Sequence, residues 1–265
     1  MLKGFTTPLS PTGKSSLLQP PPWHNAGVII AIEYWADPAV VSGLLPPGFA
    51  PAEDAGYCIG HFAEWQSTTD GREELLDPVR AQYHEFFVLI AAERDGKTVF
   101  CCPFMYVDTD INLYRGMIQG LPKMHASVSM THSYPIDNPA GASLRTGSVL
   151  GASMCFRDRR VIDARLTLSE PGEEPLGMPQ CEIFGVRHYP DLEHPDGPPM
   201  VYDVVRFKGA DRQVANIWYG EAQLDYFPSP VHELHDLAPL RLGRACRYDI
   251  GFTIVGVEKV ADLRE

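Results

Sequence analysis

Ala81–Val107, AQYHEFFVLIAAERDGKTVFCCPFMYV, is the stretch that decides the fold class. Residues 81–93 and 98–107 are both rich in aromatic and aliphatic side chains and have the length of strands. Between them, Arg94–Lys97 (RDGK) has the polar and glycine residues of a tight turn. Two such runs separated by such a turn predict a β-hairpin, and the first run becomes more apolar towards its end.

The sequence on either side of this hairpin repeats the pattern of short apolar runs. Its 23 glycines and 24 prolines are spread evenly, which favours many short strands over long helices. Further strands are predicted at 28–35, 56–65, 125–133, 143–156, 161–168, 181–189, 200–208, 214–224 and 247–260, and short helices at 38–45 and 108–117. We therefore expect a mainly β (β-rich α+β) fold, with one antiparallel sheet that is closed or doubled over and a few short helices.

The chain length and the first residues indicate the domain organisation. A chain of 265 residues fits one large domain or two small ones, and no linker, repeat or low-complexity segment divides it. Residues 1–24 include Pro8, Pro11 and the run Pro20–Pro22. We expect residues 1–24 to form an extended proline-rich arm, packed on a neighbouring subunit or loose, and residues 25–265 to form a single domain.

The charge and the cysteines exclude several classes of protein. The net charge of −12 and the isoelectric point near 5.2 argue against a nucleic-acid or anionic-membrane partner. No apolar run reaches the roughly 18 residues of a membrane span, and the first residues lack the apolar core of a signal peptide. The six cysteines show no CxxC pair or zinc spacing, so free buried thiols in a reducing compartment are expected. A soluble cytoplasmic protein is predicted.

Gln119–Met124 (QGLPKM) contains the one lysine in apolar surroundings. Burial disfavours the protonated amine and lowers its pKa, and a neutral lysine is a nucleophile that forms Schiff bases with carbonyl compounds. Pro122 restricts the backbone angles of its own residue and of Leu121, and Gly120 permits a tight turn. Together they could hold Lys123 in one orientation. The alternative is a surface loop in which the aliphatic part of the lysine packs on apolar surface and its amine lies in water.

Three further polar side chains are candidates for chemistry beside the lysine. Tyr83 and Glu85 are two residues apart on a predicted strand and so share a face, where a hydroxyl and a carboxyl can exchange protons. Gln119 has an amide that can donate to a carbonyl or carboxylate oxygen without changing the charge of the site. The alternatives are a half-buried strand with Tyr83 and Glu85 facing solvent, and a polar loop residue at 119.

Other chemistries find little support in the sequence. There is no GxSxG motif for a serine hydrolase, no GxGxxG motif and no phosphate-binding loop. His232 and His235, with acidic neighbours, could suggest a metal site, but such a turn is more typical of a solvated surface. A lysine imine mechanism requires neither a metal nor an organic cofactor, so no cofactor is expected.

The chain resembles the acetoacetate decarboxylase superfamily over nearly its whole length. The motifs that carry the resemblance are Gly120-Leu121-Pro122-Lys123 for the Schiff-base lysine, Tyr83-His84-Glu85 for a Tyr-x-Glu strand with an active-site glutamate, Phe104–Asp108, Tyr34–Phe49, and Trp218–Leu224 followed by Leu234–Leu240. The resemblance implies that residues 25–265 form one catalytic domain of that fold, with Lys123 as the nucleophile. It also implies a homo-oligomer.

Three positions depart from the decarboxylase pattern. Met124 stands where those enzymes have a second lysine, so burial alone is expected to lower the pKa of Lys123. Residues 25–29 contain no arginine where the decarboxylases have one, and Gly60-His61 occupies the place of a second glutamate. The sequence is therefore closer to the superfamily members that condense pyruvate with aldehydes and remove water.

We accordingly predict a Schiff-base aldolase-dehydratase with a pyruvate-like 2-oxo acid and an aldehyde as substrates. The resemblance and the residues together suggest Lys123, Tyr83, Glu85 and Gln119 as catalytic residues, and Arg115, Met124 and His61 as substrate-binding residues. Two alternatives stay open. One is decarboxylation of a β-keto acid such as acetoacetate; the other is a binding protein that holds a carbonyl metabolite without turnover.

Overall fold

A computed structural model describes residues 1–264 of the chain. These residues form twelve strands and three short α-helices. In chain order they are β1 (Trp23–Trp35), α1 (Pro38–Gly43), β2 (Ala50–Pro51), β3 (Tyr57–Thr68), α2 (Pro78–Ala81), β4 (Gln82–Arg94), β5 (Lys97–Val107), α3 (Asp110–Gln119), β6 (Lys123–His125), β7 (Ser127–Met130), β8 (Val149–Phe156), β9 (Arg159–Pro171), β10 (Ile183–Tyr189), β11 (Val201–Tyr226) and β12 (Arg241–Asp262). Short 3-10 turns cover Glu73–Leu76, Pro139–Gly141, Met178–Gln180 and Glu233–Leu237.

Seven of these strands close into a barrel. Their order is β10-β5-β4-β3-β1-β12-β11, and β10 pairs with β11 as well as with β5, so the two ends of the series meet. The pairing of β10 with β5 is parallel, and the other pairings around the barrel are antiparallel. Closure removes open strand edges from this part of the sheet. The expected mainly β fold with a closed antiparallel sheet is confirmed, apart from that one parallel pairing.

The barrel wall is buried on both faces. Phe86, Val88 and Ile90 pack outward in the main core, which also contains apolar residues of β7, β8 and β9. Phe87 and Leu89, on the opposite face of β4, pack inward with Cys102 and Met105 of β5. Strands buried on both faces are continuous apolar runs rather than alternating ones, which accounts for the pattern of residues 86–92.

In two places the structure divides the chain into strands differently from the prediction. The runs 200–208 and 214–224 belong to one strand, β11, whose pairing with β12 continues through bulges, and Asp211 and Asn216 adopt left-handed backbone angles there. The predicted strand 125–133 is instead two short strands, because β6 pairs with β5 whereas β7 pairs with β8. The strands with which a segment pairs therefore decide where it continues and where it changes neighbours.

Residues 1–22 differ from the extended arm expected from their prolines, because they double back on themselves. Lys3 and Ser10 exchange two backbone hydrogen bonds of 2.8 and 3.0 Å. Ser16 Oγ donates to the carbonyl of Thr6 at 3.0 Å, and the Phe5 ring makes an edge contact with Trp23, the first residue of β1. Within residues 1–264, no helix is long and apolar enough to cross a membrane.

Candidate active site

Lys123 follows a tight turn that its neighbours in sequence create. Helix α3 ends at Gly120, whose φ of 84° is a left-handed angle that favours glycine. The amide of Leu121 donates to the carbonyl of Gly116 at 2.9 Å, and the chain then enters β6 at Lys123, which lies opposite Met105 of β5. The lysine is buried, and the expected orientation by Gly120 and Pro122 agrees with this local geometry.

Gly116 makes room for the lysine side chain. A Cβ atom at position 116 would lie 2.3 Å from Lys123 Cδ and 2.4 Å from Cγ, which is far inside contact distance. The aliphatic stem of Lys123 therefore runs directly over the last turns of α3. A glycine seven residues before the lysine is the sequence signal for this packing.

The amine of Lys123 forms an ion pair with Glu85 of β4. Lys123 Nζ lies 2.6 Å from Glu85 Oε2, and both side chains are buried. The other carboxylate oxygen, Oε1, accepts a hydrogen bond of 3.2 Å from the indole nitrogen of Trp65. The lysine and the carboxylate are thus positioned to pass a proton between them without solvent.

The electrostatic surroundings lower the pKa of Lys123 below that of an ordinary lysine. Burial is the largest cause, the negative charge of Glu85 opposes it, and the positive charge of Arg115 adds to it. The expectation that burial alone acts on Lys123 was therefore wrong. Arg115, from α3, supplies the second positive charge that Met124 does not.

Tyr83 and Arg115 form a second polar group beside the lysine. Arg115 donates from Nη2 to the Tyr83 hydroxyl at 2.8 Å and from Nη1 to Ser67 Oγ at 2.7 Å. Lys123 Nζ lies 5.6 Å from the centre of the Tyr83 ring. Burial raises the pKa of the Tyr83 phenol above its ordinary value, although Arg115 opposes the shift, so the phenol stays protonated at neutral pH. Tyr83 and Glu85 share the inward face, as their spacing predicts.

Three buried side chains in the same wall each have a polar atom without a hydrogen-bond partner in the described part of the chain. They are Asn25 Oδ1, Arg115 Nε and Gln119 Nε2. Because an unpaired buried polar group is costly, such atoms often mark a place where a ligand completes the hydrogen bonding. Arg115 and Gln119 contribute two donors, whereas Asn25 contributes an acceptor.

These groups line a cavity of about 920 Å³ inside the barrel, which we call the Lys123 pocket. All seven barrel strands contribute to its wall. Polar residues Asn25, Tyr83, Glu85, Arg115, Gln119 and Lys123 lie along one part, apolar residues Phe87, Leu89, Cys102, Met105 and Leu121 along another, and charged residues Glu182, Arg206, Lys208, Arg212 and Glu258 along a third. The charged part is internally compensated, since Arg206 pairs with Glu182 at 3.0 Å and with Glu258 at 2.7 Å.

Two residues predicted to bind substrate, Met124 and His61, do not line the Lys123 pocket. Met124 points to the opposite side of β6 from Lys123, because successive residues of a strand alternate, and it packs against the main core. His61 lies on the inward face, opposite Phe87 and stacked on its ring with centres 4.3 Å apart, but it is fully buried under the Gly177–Met178 segment. It accepts a 3.0 Å hydrogen bond from the amide of Met178, and burial lowers its pKa to about 3.

Trp65, Ser67 and Asn25 were missed by the sequence analysis. Strand pairing places Trp65 opposite Tyr83 and Ser67 opposite Asn25, so all four side chains share the inward face. The spacing of residues 65 and 67 in a predicted strand shows that they share a face, but not that this face meets the lysine. Among residues 1–264, no group of three or more metal-ligating side chains is present.

The closed barrel and its buried lysine–carboxylate pair define the acetoacetate decarboxylase-like class of folds. The family model for acetoacetate decarboxylase matches residues 6–263, so the chain belongs to this family of enzymes. No curated protein sequence gave a significant match.

Solved structures are similar over nearly the whole chain. One is the enduracididine biosynthesis enzyme MppR complexed with the condensation product of pyruvate and imidazole 4-carboxaldehyde, with 30% identity, a TM-score of 0.92, and coverage of 99% of this chain and 98% of MppR. MppR complexed with pyruvate is 29% identical, with a TM-score of 0.92 and 99% of each chain covered. An acetoacetate decarboxylase-like enzyme from Sphingomonas wittichii RW1 is 28% identical, with a TM-score of 0.89, covering 98% of this chain and 100% of the other.

Proposed function

We propose that this protein is a Schiff-base aldolase-dehydratase that joins a pyruvate-like 2-oxo acid to an aldehyde. The observation that carries the proposal is the 2.6 Å contact between Lys123 Nζ and Glu85 Oε2 in the wall of a large internal pocket. A lysine with a lowered pKa beside a carboxylate can lose its proton to that carboxylate and attack a ketone carbon. The same carboxylate can then move the protons of the later steps.

The unpaired donors near the lysine suit the carboxylate of the 2-oxo acid. Arg115 Nε and Gln119 Nε2 have no hydrogen-bond partner among residues 1–264, and each can donate to a carboxylate oxygen. Such contacts favour a substrate that keeps its carboxylate through the reaction. Decarboxylation would turn that carboxylate into neutral carbon dioxide, so donors that stabilise its charge would raise the barrier. This argument favours condensation over the β-keto acid decarboxylation that remains the alternative.

The reaction then proceeds through an imine and an enamine. Lys123 Nζ adds to the ketone carbon, water leaves, and loss of a methyl proton to Glu85 gives the enamine. The enamine carbon attacks the aldehyde carbon, and the Tyr83 phenol, which stays protonated, supplies the proton to the new alkoxide. The Tyr83 phenolate then takes a second proton from the former methyl carbon, and the hydroxyl leaves as water with the proton held by Glu85, which creates the carbon–carbon double bond and restores both groups. Hydrolysis of the imine releases an unsaturated 2-oxo acid and restores the lysine.

The size of the pocket and the relatives support a second substrate. Pockets of about 300 to 1,000 Å³ hold drug-sized ligands, and the 920 Å³ of the Lys123 pocket is far more than a three-carbon acid needs. The MppR structures contain pyruvate or its condensation product with an aldehyde. Room beside the apolar wall of Phe87, Leu89 and Met105 is where the substituent of an aldehyde would lie.

Reductive trapping tests the proposal directly. The protein is incubated with ¹³C-labelled pyruvate and borohydride, and intact mass and peptide mapping locate the adduct. We expect one reduced pyruvate on the peptide that holds Lys123, no adduct in Lys123→Ala, and an unchanged adduct in Lys208→Ala, which removes the lysine at the charged part of the same pocket. Trapping on another lysine would overturn the mechanism.

Turnover assays then separate the two reactions. Pyruvate with an aromatic aldehyde should give a conjugated product with new ultraviolet absorbance, and acetoacetate should release carbon dioxide only slowly. Carbon dioxide release with kcat of about 1 per second or more, without condensation, would favour the decarboxylase. Trapping without either reaction would favour a protein that binds carbonyl compounds without turnover.

A further inference from the structure

Glu85 has one hydrogen-bond partner that is not altered in the proposed reaction. In the described part of the chain its carboxylate contacts two side chains: Lys123 Nζ at Oε2, 2.6 Å away, and Trp65 Nε1 at Oε1, 3.2 Å away. Under the proposed function, Lys123 becomes covalently modified and loses hydrogens. Trp65 is therefore the contact that can hold Glu85 through the whole cycle.

The indole of Trp65 is itself held rigidly. Trp65 is 2% exposed, and its ring makes an edge contact with Phe252 at 5.5 Å and 78°. It lies opposite Gly27 of β1, where a Cβ atom would be 2.6 Å from Trp65 Cε3. The missing side chain at position 27 thus gives the indole its space, and neighbouring strands on both sides prevent it from turning.

We propose that Trp65 is a positioning residue for the proton-transferring carboxylate of Glu85. Its N–H group occupies Oε1 and leaves Oε2 as the oxygen that exchanges protons with Lys123 and with the bound adduct. An indole N–H donates a hydrogen bond but does not accept one, so it orients the carboxylate without competing for the proton. This inference rests on the proposed function, because it states which oxygen of Glu85 transfers protons in that reaction.

Turnover of Trp65 variants tests this role. Trp65→Phe removes the donor, and replacement of Trp65 by 3-benzothienylalanine keeps the shape of the indole while exchanging N–H for sulfur. Both should lower kcat for condensation by roughly ten- to a hundredfold, the usual worth of a hydrogen bond to a charged group. KM for pyruvate should stay within about threefold, because Arg115 and Gln119 are not touched.

Trp35→Phe is the matched control. It removes an indole that donates to a carboxylate at the surface, Asp54 Oδ1, at 2.7 Å. Kinetic constants of this variant should equal those of the wild type. If Trp65→Phe fails to fold, the 3-benzothienylalanine variant, which conserves the packing, still decides the question.

A double mutant distinguishes positioning from packing. If Trp65 acts only through Glu85, the double variant Trp65→Phe/Glu85→Gln should be no slower than Glu85→Gln alone, because residues that act as a unit are not additive. Multiplied losses in the double variant, or a KM that rises in step with the fall in kcat, would overturn the inference.

The indole N–H also gives a spectroscopic readout. In ¹⁵N-tryptophan-labelled protein, the Trp65 signal is the one that disappears in Trp65→Phe. It should move in Glu85→Gln but remain near its wild-type position after pyruvate is trapped on Lys123. A large movement on trapping would mean that the bond to Glu85 does not survive, and would overturn the inference. Failure of wild-type trapping would instead count against the proposed function.

Discussion

Two buried carboxylates on the inward face of the barrel wall have opposite surroundings. Glu33 of β1 accepts hydrogen bonds from the Tyr57 hydroxyl at 2.8 Å and from the backbone and guanidinium of Arg244 at 2.9 to 3.2 Å. Within residues 1–264, Glu85 of β4 accepts from two groups, Trp65 and Lys123. Both are about equally buried, at 6% and 5% exposed, so burial does not separate them.

The difference between the two carboxylates is in how many donors surround them. Four donors leave Glu33 no capacity for a further partner, and none of them is a group that ordinarily releases a proton at neutral pH. Glu85 keeps free lone pairs, faces a cavity, and has as its closest partner an amine whose pKa is lowered. A saturated buried carboxylate is structural, whereas an unsaturated one beside a perturbed lysine is suited to chemistry.

The largest expected effect comes from exchanging each carboxylate for its amide. Glu85→Gln should slow condensation by about a hundredfold or more, the usual worth of a placed acid–base group, with little loss of stability. Glu33→Gln should do the reverse, because it breaks a saturated network: unfolding free energy falls by about 1–3 kcal/mol, and turnover stays within a few fold. Steady-state kinetics and urea unfolding on both variants check this. Equal losses of kcat in the two variants would contradict the assignment of different roles to Glu85 and Glu33.

The tyrosine beside each carboxylate sharpens the contrast. Tyr83→Phe should leave borohydride trapping largely intact and slow product formation by roughly a hundredfold, because in the proposed mechanism the phenol acts after the imine has formed. Tyr57→Phe should cost about 1 kcal/mol of unfolding free energy and leave turnover unchanged. Trapping and turnover are measured side by side. Trapping that is lost in step with turnover would move the role of Tyr83 forward to imine formation.

Arg115 and Arg244, the arginines near Glu85 and Glu33, should also differ, but the expected effect is a smaller one on substrate binding. Arg115→Met removes a guanidinium from the Lys123 pocket and should raise KM for pyruvate by about tenfold or more, since a hydrogen bond to a charged group is lost. Arg244→Met removes the partner of Glu33 and should leave KM unchanged. Initial rates over a range of pyruvate concentrations check both variants. A normal KM in Arg115→Met would place the substrate carboxylate elsewhere.

Trapping as a function of pH tests the charges around Lys123. The reaction needs the neutral amine, so its rate rises with pH through the pKa of Lys123, which burial lowers. Arg115→Met removes a positive charge that lowers this pKa and should move the midpoint to higher pH. Glu85→Gln removes a negative charge that raises it and should move the midpoint to lower pH. Initial trapping rates give the pH midpoints, after the pH dependence of the reductant has been measured on a model imine and removed. Midpoints that shift in the same direction in both variants would contradict the assigned effects of Arg115 and Glu85 on the pKa of Lys123.

Met124 should show the smallest effect of all. Because its side chain packs in the main core and not in the Lys123 pocket, Met124→Leu should keep kcat and KM within about twofold and cost less than about 1.5 kcal/mol of unfolding free energy. The comparison is with Lys123→Met one residue earlier, which should be inactive. A specific loss of activity in a stable Met124→Leu variant would mean that position 124 reaches the substrate.

Periodicity along the chain was enough to predict much of the fold and part of the site. Runs of strand length between turns gave the mainly β class, and the spacing of Tyr83 and Glu85 placed them on one face, because side chains on a strand repeat every two residues. The apolar sequence around Lys123 indicates a lowered pKa without reference to any partner in space. These properties depend on neighbours within a few residues, so they can be read locally.

What faces the lysine was decided only by closure of the barrel. Strand β10 joins β5 to β11, and this pairing of segments far apart in the chain determines which face of each strand is the inside. It brings Trp65 and Arg115 to the lysine–carboxylate pair and turns Met124 to the outer core. His61 is on the same inward face as Trp65, but the Gly177–Met178 segment covers it. A period of two shows which residues share a face, but only long-range pairing determines where that face points.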